Sequence, residues 1–139
     1  GARNLFPYTG VADWICTDAQ HWIYRDTGMK NGDRIPNLIG WEWLGKPAEK
    51  KGLVVVAGGE TTDGRDTGRY AATVYPGPKN NWVFNASTMW WGDGLSAPPG
   101  YVGPTFKMAD KSPARSPAGP DERVQRMTRN LFDRFRGGK

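Results

Sequence analysis

Along most of this chain the apolar residues fall in short runs broken by turn residues, and only its end carries a sustained helical period. Val11-Ala12-Asp13-Trp14-Ile15-Cys16 is short enough to be one strand or a helical turn. Thr17 or Asp18 is placed to cap a short helix through His21 and Tyr24, by accepting a bond from a free backbone N–H. Thr27-Gly28 ends that helix, and Asn31-Gly32-Asp33 reads as a turn, because Asn and Gly tolerate positive φ. Pro36 then fixes the approach to a strand over residues 38–44. Residues 53–57, Leu-Val-Val-Val-Ala, are a continuous β-branched run of the kind that suits a strand buried on both faces. Gly58-Gly59 closes it, and residues 60–69 read as a polar loop. Residues 70–75 and 82–86 are further strands. These last three are expected to share one sheet, each being short, β-rich and bounded by turn residues.

Ser87-Thr88 has the look of a helix N-cap ahead of residues 89–95, and a long Pro/Gly/Ser segment follows over 96–119. The tail from 121 to 136 is the clearest helix. Val124, Met127, Leu131 and Phe135 lie on one of its faces, expected to meet the sheet, with the arginines turned to water. Pro120 suits a first helical position and Gly137-Gly138 a stop. The pattern divides the chain into a core over residues 1–110, a Pro/Ser-rich linker over 111–119 and a basic amphipathic helix over 120–139.

Composition adds three constraints. A chain of 139 residues is one domain's worth. Its hydrophobic share is only 37%, so its seven tryptophans must carry much of the burial. Cys16 is the lone cysteine, which rules out an internal disulfide, and no apolar run approaches the roughly 20 residues of a membrane span. The chain opens on Gly rather than Met, which fits a processed product or part of a longer protein. Charge is unevenly placed. Residues 1–110 hold 11 basic and 11 acidic side chains, and residues 111–139 hold 8 and 3, so the whole net charge of +5 belongs to the tail. Nucleic-acid grooves interleave aromatics with basic residues. Here the two are in different places, which argues against that partner.

The stretch with most chemistry is residues 21–43. It holds the only histidine, His21, and it holds Glu42 between Trp41 and Trp43. Trp14, Trp82, Trp90 and Trp91 are expected to pack near it. A carboxylate flanked by bulky aromatics is one whose pKa rises by desolvation, and such groups gather at functional sites. The plain reading of the same residues is a half-buried strand with Glu42 in water. His21 is either a structural histidine or a catalyst. Asn85 ends an apolar strand, so it either faces a ligand or caps the turn. Trp90 and Trp91 are core or pocket wall. Nucleophile-elbow, zinc and phosphate-loop motifs are absent from the sequence.

Several landmarks recur together: His21-Trp22, Thr27-Gly28, Asn31-Gly32-Asp33, Ile35-Pro36, Leu38-Ile39-Gly40-Trp41-Glu42, Val83-Phe84-Asn85-Ala86, residues 91–95, and Arg126-Met127-Thr128-Arg129-Asn130-Leu131. In order and spacing they resemble the last part of the C-terminal domain of N,N-dimethylformamidase large-subunit-like proteins, over most of residues 20–136. The resemblance implies an α/β, class I glutamine-amidotransferase-like sheet, present here in part, with a C-terminal amphipathic helix. It also implies hydrolysis of small amides at an iron held by tyrosines and a glutamate. The Gly-His-Asp-Glu-Tyr-Trp stretch that carries the metal glutamate in that family has no counterpart here. No metal ligand or cofactor is therefore expected within this chain, and the iron would belong to the complete protein. The implied partner is the missing N-terminal half or another subunit. By position Glu42 resembles a family glutamate that supports the upstream histidine, and Asn85 a residue near the pocket; if the chain is part of such an enzyme, Glu42 and His21 are the expected catalytic residues, and Asn85, Trp90 and Trp91 the expected substrate-binding ones. The alternative is a non-catalytic module of the same fold, with the basic tail helix offered to an acidic partner.

Overall fold

The computed structural model describes residues 2–3, 9–42, 45–79 and 81–137, the backbone alone at 2, 3, 9, 41 and 42. Its elements in chain order are β1 (Ala2–Arg3), β2 (Thr9–Ile15), a 3₁₀ turn (Trp22–Tyr24), β3 (Arg34–Glu42), β4 (Lys46–Pro47), β5 (Val54–Thr62), β6 (Thr67–Pro76), β7 (Trp82–Asn85) and α1 (Glu122–Phe135). Five strands form a curled sheet in the order β3-β2-β5-β6-β7, and every neighbour pair is antiparallel. The ribbon of β1 and β4 lies against β6.

The three strands expected to share a sheet do so, as β5, β6 and β7. β5 is longer than its sequence suggests, because Gly58 and Gly59 do not stop it. A Cβ on Gly59 would lie 3.1 Å from Ile15 Cδ1 and 3.2 Å from the Tyr70 ring. That glycine makes room for side chains inside the sheet, one of the uses of glycine in a strand. The β5–β6 loop shrinks to residues 63–66, where Asp63 Oδ1 accepts bonds from the amides of Arg65 and Asp66. β3 starts at Arg34 rather than after Pro36. Pro36 is tolerated because β3 is an edge strand, where a missing N–H need not break a ladder. Residues 43 and 44, the expected end of that strand, lie outside the described residues.

Two register shifts shape the sheet. One falls between Ala12 and Trp14, where Asp13 Oδ1 accepts from the Asn37 amide at 3.0 Å. The other falls between Val55 and Ala57. The bulged Val56 carbonyl accepts from the Tyr24 hydroxyl at 2.5 Å and from the Thr17 amide at 3.1 Å. A bulge unpairs one residue of a ladder. Here it hands a carbonyl to the segment that carries His21.

The main interior lies between the sheet and α1. Trp14, Ile23, Ile35, Ile39, Val56, Val74, Val124 and Met127 are all essentially inaccessible there. Each such aliphatic side chain contributes roughly 1.5–3 kcal/mol through burial. A smaller cluster of Val11, Trp90, Phe106 and Met108 forms apart from it. Phe106 is held by a two-residue bridge to Arg115 within the Pro/Ser-rich segment.

α1 begins one residue later than expected. Asp121 is its cap, accepting from the Arg123 amide at 2.8 Å, and Pro120 precedes the cap rather than opening the helix. Gly137, at φ +86°, follows its end. Val124, Met127 and Leu131 are buried as expected, but Phe135 is 47% exposed. The last turn runs past the edge of the core. Its inward position is taken by Arg134, which lies over two tryptophan rings instead of facing water. Asn130, which carries no apolar signal, is buried on the same side and donates to the carbonyls of Ile23 and Arg25.

Candidate functional site

The short helix expected near His21 is a single 3₁₀ turn, and its cap is His21 itself rather than Thr17 or Asp18. The His21 amide donates to the Asp18 carbonyl, and Nδ1 accepts from the Ile23 amide at 3.3 Å. An accepting Nδ1 places the hydrogen of the neutral ring on Nε2. Burial pushes the His21 pKa below its ordinary value, opposed by nearby Asp18 and reinforced by Arg134. The ring lies against Trp22 at 4.9 Å between centroids, and Trp22 meets Trp82 edge-on at 5.5 Å. The Arg134 guanidinium sits 4.9 Å from the Trp82 ring centre and 5.5 Å from that of Trp22. His21, Trp22, Trp82 and Arg134 thus make one half-buried cluster from three separate parts of the chain. Cation–π contacts of this kind are worth about 0.5–2 kcal/mol.

Trp14, Trp90 and Trp91 also reach this stretch. Trp14 Nε1 donates to the Tyr24 hydroxyl at 3.0 Å. Trp90 covers Gly40 so closely that a Cβ there would fall 2.2 Å from its ring. Trp91 touches the stretch through Trp14, at 5.0 Å between centroids. Burial, reinforced by neighbouring Cys16, pushes the Tyr24 hydroxyl far above its ordinary pKa, and its bond to the Val56 carbonyl marks it as a structural group.

The expected site residues fall into two groups. Asn85 ends β7, and its Oδ1 accepts from the Ser87 amide at 2.8 Å, so it caps the turn. Thr88, which sequence reasoning treated only as a cap, does more. Its hydroxyl donates to the Leu38 carbonyl and accepts from the amides of Gly40 and Trp90. This links the turn after Asn85 to β3, two residues before Glu42. The Glu42 backbone pairs with Thr9 at the end of β3. Its side chain lies outside the described residues. Trp91 is half-buried, with Nε1 donating to Thr128 of α1. Trp90 is 2% exposed and belongs to the smaller cluster. His21 sits in the aromatic cluster, a different grouping from the Asn85–Thr88 turn.

Arg134 was missed because nothing in an Arg-rich helix says which arginine turns inward. Its one legible signal was spacing, since Arg134 lies three residues from Leu131 and seven from Met127, both on the apolar face. Among the described residues no three His, Cys, Asp or Glu side chains converge as metal ligands. No chemical step here runs through the iron implied by the resemblance.

These features define a sheet-dominated domain, an antiparallel five-stranded sheet closed by one helix, with a half-buried histidine–tryptophan–arginine cluster beside it. Residues 4–105 match the family model described as N,N-dimethylformamidase beta subunit-like, C-terminal, and the chain belongs to that family. α1 lies beyond the matched residues. No curated protein and no solved structure matches the chain.

Proposed function

We propose that this chain is the closing part of an amidohydrolase-like protein that cleaves small amide C–N bonds. Family membership over residues 4–105 carries the reading. In it, the antiparallel sheet is the terminal part of a class I glutamine-amidotransferase-like domain. The metal-holding residues belong to the rest of the protein or to another subunit. His21, with Nδ1 engaged by Ile23, acts through Nε2–H as a neutral donor suited to polarise an amide carbonyl. Glu42, carried at the end of β3, orients or protonates. Asn85 uses its Oδ1 in the turn and offers its Nδ2 to the substrate. Trp91 lines the pocket, and Trp90 supports it from beneath through Gly40.

The test is Glu42→Gln in the complete native protein, assayed on small amides of the dimethylformamide type with melting followed in parallel. Gln keeps the size and loses the proton-accepting oxygen. The expected loss of rate is about 10²–10⁴-fold with the fold intact, the range for a general acid–base group. Full activity in the variant would end the catalytic role of Glu42. A second reading, a non-catalytic module with a basic helix for an acidic partner, is favoured by one observation: the net charge is confined to residues 111–139. Metal analysis of the complete protein separates the two, since stoichiometric iron with amidase activity supports only the first.

A further inference from the structure

α1 has a second apolar edge that the core does not use. Phe132 and Phe135 are 57% and 47% exposed. They lie three residues apart, so they are neighbours on one side of the helix. Arg129 and Arg136 stand three residues before and four after Phe132, and both are exposed. The edge is also held still. Val124, Met127 and Leu131 are buried beneath the helix, Asn130 is bonded to the carbonyls of Ile23 and Arg25, and Thr128 is bonded to Trp91. Exposed rings on a rigid element lose little conformational freedom when a partner covers them.

We propose that Phe132 and Phe135, flanked by Arg129 and Arg136, form a docking edge for an acidic amphipathic segment of a protein partner. Charge decides the occupant. Residues 111–139 hold 8 basic and 3 acidic side chains, against an even balance in the rest of the chain. Asp133, the acidic residue beside Phe132, is already drawn to Arg136 at 3.5 Å. A second copy of the same edge would bring arginines against arginines, a repulsion that disfavours self-pairing. A bilayer would find only two rings, because the main apolar face of α1 is buried in the core. Carboxylates suit the planar guanidinium fork of Arg129, which binds them with two parallel hydrogen bonds, while Arg136, already drawn to Asp133 and the Phe132 carbonyl, adds positive charge beside the rings. The edge lies beyond the family-matched residues and does not depend on amide chemistry.

The probe is a designed helical peptide with leucines at i, i+3, i+4 and i+7 and glutamates between them. Its control has lysine for every glutamate. Binding to the full chain is followed by fluorescence anisotropy. The glutamate peptide should bind, weaken as salt rises, and outcompete the lysine control. Phe132→Ser with Phe135→Ser, or Arg129→Glu with Arg136→Glu, should lower affinity about tenfold or more, as loss of anchoring residues does. The melting temperature should fall far less than for a core substitution such as Leu131→Ala, because all four side chains are exposed and the Arg136–Asp133 pair is a surface pair. Equal binding of both peptides, no binding, or no loss in the variants would overturn the proposal. So would tighter binding to phosphatidylserine vesicles than to the peptide, or self-association abolished by the same substitutions.

Discussion

Trp90 and Trp91 are adjacent in the chain and face different interiors. Trp91 lies in the larger one, tilted against Trp14 and Phe84, with its Nε1 tied to Thr128. Trp14 is tied in turn to the Tyr24 hydroxyl, and that hydroxyl to the bulged Val56 carbonyl. Polar ties therefore fix the direction of Trp14, Tyr24 and Trp91 on the helix side. Trp90 lies in the smaller cluster with Val11, Phe106 and Met108, pressed onto a glycine. There, the backbone is tied through the Thr88 hydroxyl, which accepts from the amides of Gly40 and Trp90, and the ring itself is seated by packing. Buried hydrogen bonds specify one arrangement among several that would fill the same volume. A ring seated by packing is instead sensitive to volume itself.

The sharpest way to break this comparison is at Gly40. A methyl group there would meet the rigid Trp90 ring at 2.2 Å rather than the end of a flexible side chain. Trp90→Ala should cost about 3–5 kcal/mol, the range for a buried aromatic. Gly40→Ala should cost about 3 kcal/mol by overpacking. In the Trp90→Ala background, however, Gly40→Ala should be nearly neutral, since the clash is gone. Urea denaturation of the four proteins closes the cycle. Additive losses would mean that Trp90 does not rest on Gly40.

A second contrast lies within α1. Leu131→Ala should cost about 2–5 kcal/mol, because Leu131 is buried under the helix. Phe135→Ala should stay within about 0.5 kcal/mol, as exposed sites do. Equal losses at both positions would place the last turn on the core and remove the free edge.

Sequence pattern reached the strands where period and turns agree. β5, β6 and β7 were legible as one sheet because each run is apolar and bounded by Gly, Pro or Asn. Where side chains from elsewhere decide, pattern failed. Gly58-Gly59 reads as a stop, yet the strand runs through it and Gly59 is a space for Ile15 and Tyr70. Pro36 reads as a boundary and lies inside an edge strand. Phe135 fits the helical stripe, yet the core ends before it. The site was legible in part. His21 beside Trp22 and the capping role of Asn85 could be read locally. The inward turn of Arg134 and the bridging by Thr88 depend on contacts between distant segments. The decisive orientation of Glu42 lies outside the described residues.

The smallest expected effect is a pH dependence of the aromatic cluster beside the larger interior. Burial lowers the pKa of His21 from 6.5, with Arg134 acting in the same direction and Asp18 against it. A histidine with a depressed folded pKa binds its proton more weakly in the native state than in the unfolded one. As pH falls below about 6.5 the unfolded chain takes up the proton first, and stability is lost down to the folded pKa. Above 6.5 both states are neutral there and the contribution is constant. His21→Asn supplies another capping oxygen for the Ile23 amide and removes the titration. Denaturation from about pH 5 to pH 8 should show the wild type losing stability relative to the variant only on the acid side. The reverse trend, with the wild type gaining relative to the variant as pH falls, would mean that Asp18 outweighs both burial and Arg134. His21 would then be a charged group rather than the neutral donor on which the proposed amide chemistry rests.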